Sequence, residues 1–269
     1  MKNELLQIGP FTVYGYGLMI AIGVLCAYLV GEYRAKKYKL NPDMIISLTI
    51  SCLVGGIIGA KLLFYIVEFK SIIEDPTILL DITNGFVVYG GIIGGILTGY
   101  LFCKIKKLDF LKYFDLVMPS IALAQGFGRL GCAFAGCCYG RETNSWFHII
   151  YEDSQYAPNG VALLPTQIIS SGLNFIHFLL LIFLAKKVKA SGQVAGLYLI
   201  FYSIGRFCLE FLRNDPRGAV SVLSTSQFIS IFIFIVGVGI FVGCGYLHKK
   251  RGDIVDNLTE SNKSPTSNA

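Results

Sequence analysis

Arg129 stands in the run "GFGRLGCAFAGCCYG" (Gly126 to Gly140), where every other residue is apolar, small or aromatic and three cysteines follow it. A guanidinium presents two parallel donors matched to phosphate, so an arginine kept in such surroundings is suited to gripping a phosphate group. Gly126, Gly128 and Gly131 flank it and leave the backbone open to a bulky headgroup or a neighbouring helix. Arg206 and Glu210 form a second charged set at i and i+4, on one helix face, and simple mutual neutralisation would also account for them. Tyr89 opens "YGGIIGG", in which Gly90 and Gly91 again strip side chains from the backbone. Tyr14, Tyr16, Tyr139 and Tyr202 offer further phenols, and each tyrosine alone reads first as an interfacial anchor.

The eight cysteines divide into two sets. Cys26, Cys52, Cys103, Cys208 and Cys244 are scattered in apolar segments, where cysteine behaves as a small hydrophobe. Cys132, Cys137 and Cys138 cluster just after Arg129. Their C-x4-C-C pattern is not a standard metal-ligand spacing, and neither a metal nor a cofactor is expected. On a regular helix Cys132 and Cys137 would point apart, which disfavours a disulfide. Small-residue packing, a redox role and a covalent thiol remain the open readings. His177 reads as a packed or interfacial histidine.

These residues must be positioned by elements suited to an apolar solvent. With 54% of residues hydrophobic, 15% charged and a mean hydropathy of +0.62, the chain is a membrane protein. Apolar segments run near Val13–Gly31, Met44–Val67, Gly85–Cys103, Phe114–Ala135, Thr166–Ala185, Val194–Leu212 and Ser224–Leu247. They predict an all-α polytopic fold of about seven transmembrane helices. The first segment lacks a basic flank and an A-x-A end, so it is expected to be a span and not a cleaved signal. Residues 1–251 read as one transmembrane catalytic domain, and 252–269 as a polar, disordered cytoplasmic tail.

The net charge of +6 does not imply a nucleic-acid partner, because the basic residues sit in short clusters between spans. "RAKKYK", "KIKK", "KKVK" and "HKKR" occupy every second boundary, whereas the alternate boundaries are mixed or acidic. The positive-inside rule therefore places the N-terminus outside and the C-terminus in the cytoplasm. Lys61, Arg129 and Arg206 are left within spans, where a cation costs about 2.5 to 3.5 kcal/mol and must face protein, water or a headgroup. "GGIIGA" and "GGIIGG" read first as close helix packing through small residues. No two-half symmetry with paired broken helices favours a transporter.

Four blocks, "IGPFTVYGYGLM", "GGIIGG" after an aromatic, "GFGRLGCAFAGCCYG" and "GLYLIFYSIGRFCLEFLR", together resemble the bacterial prolipoprotein diacylglyceryl transferase family from about Ile8 to Gly243. The resemblance implies a multi-pass enzyme of the bacterial cytoplasmic membrane. It would move the diacylglyceryl group of phosphatidylglycerol to the lipobox cysteine of preprolipoprotein signal peptides, the first step of lipoprotein maturation. By position, Arg129 matches a phospholipid-binding arginine, Arg206 and Glu210 an R-x-x-x-E pair, Tyr202 the aromatic one turn earlier, and Tyr16 a tyrosine of the first span. Gly90, Gly91, Gly128 and Gly131 would line the lipid site. The chain departs from the family at Tyr89 and Leu164, where histidines are usual, and at Cys132, Ala135 and Cys137, which replace Asn, Asn and Glu. Tyr89 is then expected to orient the lipid, Arg206 to take leaving-group charge and Glu210 to orient Arg206. The alternative is a non-catalytic or retuned lipid-binding relative that acts on another acceptor.

Overall fold

The computed structural model describes residues 3–8, 11–81, 85–215, 219–220 and 223–261. In chain order its helices are α1 (Gly15–Lys37), α2 (Asp43–Val67), α3 (Phe69–Glu74), α4 (Val88–Ile105), α5 (Phe110–Ala135), α6 (Thr166–Leu184), α7 (Gln193–Glu210) and α8 (Thr225–Ser261). All but the short α3 coincide with the seven apolar segments. A chain in hydrocarbon must satisfy its own backbone, which a helix does within one segment. Among the described residues, α1, α2, α4, α6 and Thr225–Arg251 of α8 are long and apolar enough to cross a membrane. α5 and α7, of 26 and 18 residues, are less apolar because they carry Lys112, Asp115 and Arg129, and Arg206 and Glu210. Along α2, Ile50, Val54, Ile57, Ile58 and Leu62 are all exposed, as lipid-facing side chains are.

The all-helical expectation needs one amendment. Three short antiparallel hairpins pair β1 (Glu4–Ile8) with β2 (Phe11–Tyr14), β3 (Ile149–Ile150) with β4 (Ala162–Leu163), and β5 (Ala219–Val220) with β6 (Leu223–Ser224). The first precedes α1 and the other two lie between helices, where backbone groups have no intrahelical partners and short ladders supply new ones. α8 continues to Ser261, past residue 252 where a disordered tail was expected to begin, and residues 262–269 lie outside the described residues.

The chain forms two compact units, Tyr28–Tyr113 and the pair of segments Met1–Ala27 and Phe114–Ala269. In the first, α2 and α4 cross through their glycines. A Cβ on Gly59 would strike the Gly90 carbonyl oxygen and come within 2.9 Å of Gly94 Cα, and one on Gly94 would strike the Gly55 carbonyl oxygen. The two "GGIIG" stretches thus face each other backbone to backbone, as small-residue packing requires. Gly59→Ala should lower stability by about 1 to 3 kcal/mol, because the obstacle is a carbonyl that cannot rotate away. Thermal denaturation in detergent measures this, and an unchanged midpoint would refute the tight crossing.

In the second unit, α1 meets α5 closely: Gly23 faces the Ala124 carbonyl, and Gly131 faces Tyr16 and Met19. Gly196 of α7 and Gly237 of α8 form another glycine crossing. The core gathers Met118, Ala122, Leu181, Val194, Ala195 and Tyr198. Asp115 of α5 accepts the backbone N–H groups of Gly192 (2.7 Å) and Ala195 (2.8 Å), an anion placed at the N-terminus of α7. α7 is thereby anchored to the helix that carries Arg129.

Candidate active site

Arg206, Glu210 and Arg213 follow one another at i, i+4 and i+7 along α7 and the turn that ends it. Arg206 Nη1 lies 3.1 Å from Glu210 Oε2, and Arg206 Nη2 donates to Ser226 Oγ of α8 at 2.7 Å. Arg213 Nη1 lies 4.0 Å from the same Glu210 oxygen. The fork of Arg213 also holds Asp215 at two points, Nε to Oδ1 at 2.9 Å and Nη2 to Oδ2 at 2.7 Å. Glu210 has a side chain 3% exposed, so one buried carboxylate sits between two guanidiniums.

Arg129 completes the cluster. It is half-buried on α5, and its charge is felt at Arg206, at Tyr16 and at Cys132 and Cys138. Among the described residues no hydrogen-bond or ion-pair partner holds its guanidinium. Among the described residues three guanidiniums therefore meet two carboxylates, and Arg129 is the one that no carboxylate holds. One monoanion, such as a phosphodiester, would balance it.

The three glycines around Arg129 do different work. Gly126 is buried under the Phe175 ring, and its carbonyl accepts from Ser171 Oγ at 2.8 Å. Gly131 packs on Tyr16. Only Gly128 has open space where a Cβ would stand, so it alone leaves room beside the arginine. Tyr202, one turn before Arg206, stacks on Tyr198 at 5.9 Å and 9°, and His177 also stacks on Tyr198 at 5.1 Å and 20°. His177 is thus packed, as its sequence context indicated, and the column fixes the direction of Tyr202. Tyr89, Gly90 and Gly91 belong to the other unit at the start of α4, where Tyr89 is exposed, Gly90 is buried on Gly59 and Gly91 lies against Gly56 and Ala60. Lys61 is in that unit too. Its Nζ donates to the Asp81 carbonyl at 2.6 Å and lies 5.0 to 5.2 Å from the rings of Phe64, Tyr65 and Phe86.

The cysteines require a correction. Regular helix would splay Cys132 and Cys137, but α5 ends at Ala135 and Gly136 turns at φ +78°, so the chain folds back. Cys138 adopts φ +59°, a left-handed conformation rare for a residue with a Cβ. The three Sγ atoms consequently lie within 4.8 Å of one another. Thr166 Oγ1 donates to the Cys138 carbonyl and Gln167 Nε2 to the Cys137 carbonyl, both at 2.8 Å, which gives "LLPTQ" its role as the clasp of this loop. Beneath it, Tyr151 donates to the Ala133 carbonyl at 3.0 Å, and burial pushes its phenol up to about 12. Hydrogen bonds from Cys132 and Cys137, with Arg213 and Arg129 nearby, pull the Cys138 thiol below its ordinary value, while the same sulfur contacts raise that of Cys137.

Sequence reasoning missed Arg213, Asp215 and Ser226 of the charged cluster, and Thr166 and Gln167 of the clasp. Continuing the helical spacing from Arg206 and Glu210 by three residues would have found Arg213.

Residues 3–243 match the family described as prolipoprotein diacylglyceryl transferase. The phosphatidylglycerol–prolipoprotein diacylglyceryl transferase of Clostridium tetani (strain Massachusetts / E88) is 50% identical over 241 residues, 90% of this chain and 97% of its own. Transferase 2 of Clostridium perfringens (strain 13 / Type A) is 49% identical over 240 residues, covering 88% and 93%. The protein of that name from Finegoldia magna is 35% identical over 235 residues, covering 85% and 92%.

Proposed function

The chain belongs to the prolipoprotein diacylglyceryl transferase family, and on that premise we propose that it transfers the diacylglyceryl group of phosphatidylglycerol to the lipobox cysteine of preprolipoproteins. The observation that carries this reading is Arg129: half-buried, beside Gly128, near the Arg206–Glu210–Arg213 cluster and without a partner among the described residues. The phosphodiester of phosphatidylglycerol is that partner.

In this reading Arg129 grips the phosphate with both donors of its fork. The acceptor thiolate attacks the glyceryl carbon, the C–O bond breaks, and the electron pair leaves on glycerol phosphate. Arg206 stabilises the charge that grows on the departing phosphate, and Glu210 holds Arg206 in place. Tyr16 and Tyr202 border the bound lipid, Gly128 lets it approach α5, and Tyr89 orients it. Tyr89 serves there through hydrogen bonding and not proton abstraction. The test is transfer of labelled diacylglyceryl from phosphatidylglycerol to a lipobox peptide by the purified protein. Absence of a thioether-linked product, with lipid still bound, would favour a lipid-binding relative.

The protein would work in the cytoplasmic membrane of a bacterium with seven spans, N-terminus outside and C-terminus inside. Residues 1–251 would form the catalytic domain, with 252–269 trailing it. The cysteine loop would then lie on the outer side with the signal peptide's acceptor. A reporter active only outside the cytoplasm should work when fused after Asp153 and fail after Lys187. The reverse pattern would overturn this topology.

A further inference from the structure

We propose that Cys132, Cys137 and Cys138 form a binding site for a thiophilic divalent cation, zinc by chemistry, whose open fourth position takes the acceptor cysteine thiol. The acceptor part rests on the transferase reading above, and the cation site does not. Three sulfurs already lie within 4.8 Å of one another. Zinc–sulfur bonds of about 2.3 Å in a tetrahedron hold their sulfurs about 3.8 Å apart, so closing on the ion asks only for small rotations of the side chains. An all-sulfur donor set selects soft or borderline cations over magnesium or calcium.

The loop is built to hold this arrangement. Gly136 and Cys138 both sit at positive φ, and the carbonyls of Cys137 and Cys138 are tied to Gln167 and Thr166. Gly140 N–H donates to the Leu164 carbonyl at 3.2 Å and Asn214 N–H to the Tyr139 carbonyl at 3.2 Å, which pins the far side. A left-handed non-glycine residue costs on the order of 1 to 3 kcal/mol and persists where surroundings enforce it. Here the strain turns the third sulfur toward the other two.

Charge also favours the site. Three thiolates and a divalent cation carry one net negative charge, and Arg129 and Arg213 are both electrostatic neighbours of Cys138. Three protein ligands are the number that leaves a zinc ion one position for substrate. A thiol bound there loses its proton to solvent and remains a nucleophile. Its sulfur forms the new bond to the glyceryl carbon, the carbon–oxygen bond breaks, and the electron pair departs on glycerol phosphate, with the cation unchanged. Because Arg129 is on the same helix three residues before Cys132, phosphate and acceptor sulfur would be held by adjacent turns.

The experiment titrates cobalt(II), a spectroscopic stand-in for zinc, into the reduced full-length protein in detergent under anaerobic conditions. One equivalent should bind and give the intense near-ultraviolet thiolate band and the visible bands of a tetrahedral site. Cys132→Ser, Cys137→Ser and Cys138→Ser should each lose that spectrum, and Cys208→Ser, outside the cluster, should retain it. A lipobox peptide bearing cysteine should then shift the visible bands, and one bearing serine should not. Failure of the wild-type protein to bind cobalt or zinc at micromolar concentration overturns the site, whatever the variants do. Binding that ignores the cysteine peptide overturns the open position. Binding and a peptide response without transfer from phosphatidylglycerol support the site and count instead against the transferase reading.

Discussion

Arg129→Lys should fold, insert into membranes and lose about a hundred- to a thousandfold in kcat/KM for transfer from phosphatidylglycerol. Lysine keeps the positive charge, so the balance of three cations against two carboxylates is unaltered. What it removes is the planar fork, which binds two phosphate oxygens at once, and an ammonium is a point charge on a mobile stem. Losing one preorganised donor to a developing anion costs about that factor in known cases. Arg129 has no protein partner among the described residues, so little stability depends on it, and the variant should keep its denaturation midpoint. That separation is the diagnostic feature. Arg129→Lys with wild-type turnover would reduce the arginine to an interfacial charge, and a collapsed midpoint would make it a structural one.

Gly128→Leu approaches the same space from the other side. Open volume lies where its Cβ would stand, so the variant should keep its denaturation midpoint, and labelled transfer should fall if the headgroup binds beside Arg129.

The sequence carried the helices well because lipid solvation makes their signal strong: an uninterrupted apolar run of about 20 residues has few other uses. Arg206 and Glu210 were legible for the related reason that charge within such a run is costly. Arg213 was not, since it lies beyond the helix end, where a basic residue usually signals only topology. The cysteine loop failed differently. Its sulfurs meet because Gly136 and Cys138 leave the helix at positive φ, and nothing in the letters of "FAGCCYG" distinguishes that turn from another helical turn. The glycines were ambiguous in kind. Close packing and ligand access both call for a missing side chain, and only the neighbours decide: a backbone carbonyl at Gly90, a phenylalanine at Gly126, empty space at Gly128. Asp115 shows how far a single carboxylate can reach in organising the rest. It ties the N-terminus of α7 to α5 and so sets where Arg206 stands relative to Arg129.

Glu210→Gln should be damaging in both stability and activity, unlike Arg129→Lys. The carboxylate is shared by Arg206 and Arg213, and its side chain is 3% exposed. Glutamine keeps the shape and one carbonyl acceptor but leaves two guanidiniums near each other with, among the described residues, Asp215 and Ser226 as partners. Removing one member of a buried ionic set costs about 3 to 5 kcal/mol, chiefly because the remaining charge is stranded away from water. The denaturation midpoint in detergent should therefore fall clearly. Transfer should drop more than a hundredfold in the fraction still folded, because Arg206 is no longer held toward the departing phosphate. Glu210→Asp separates the two effects. It retains the charge and much of the stability but draws the carboxylate back by about one carbon–carbon bond, so Arg206 is re-aimed while the fold survives. Labelled transfer measured beside thermal denaturation decides the matter. If Glu210→Gln keeps both its midpoint and its turnover, the buried carboxylate neither neutralises the two arginines nor aims Arg206. If Glu210→Asp is stable but as slow as Glu210→Gln, the position of Arg206, and not merely the presence of its charge, controls the reaction.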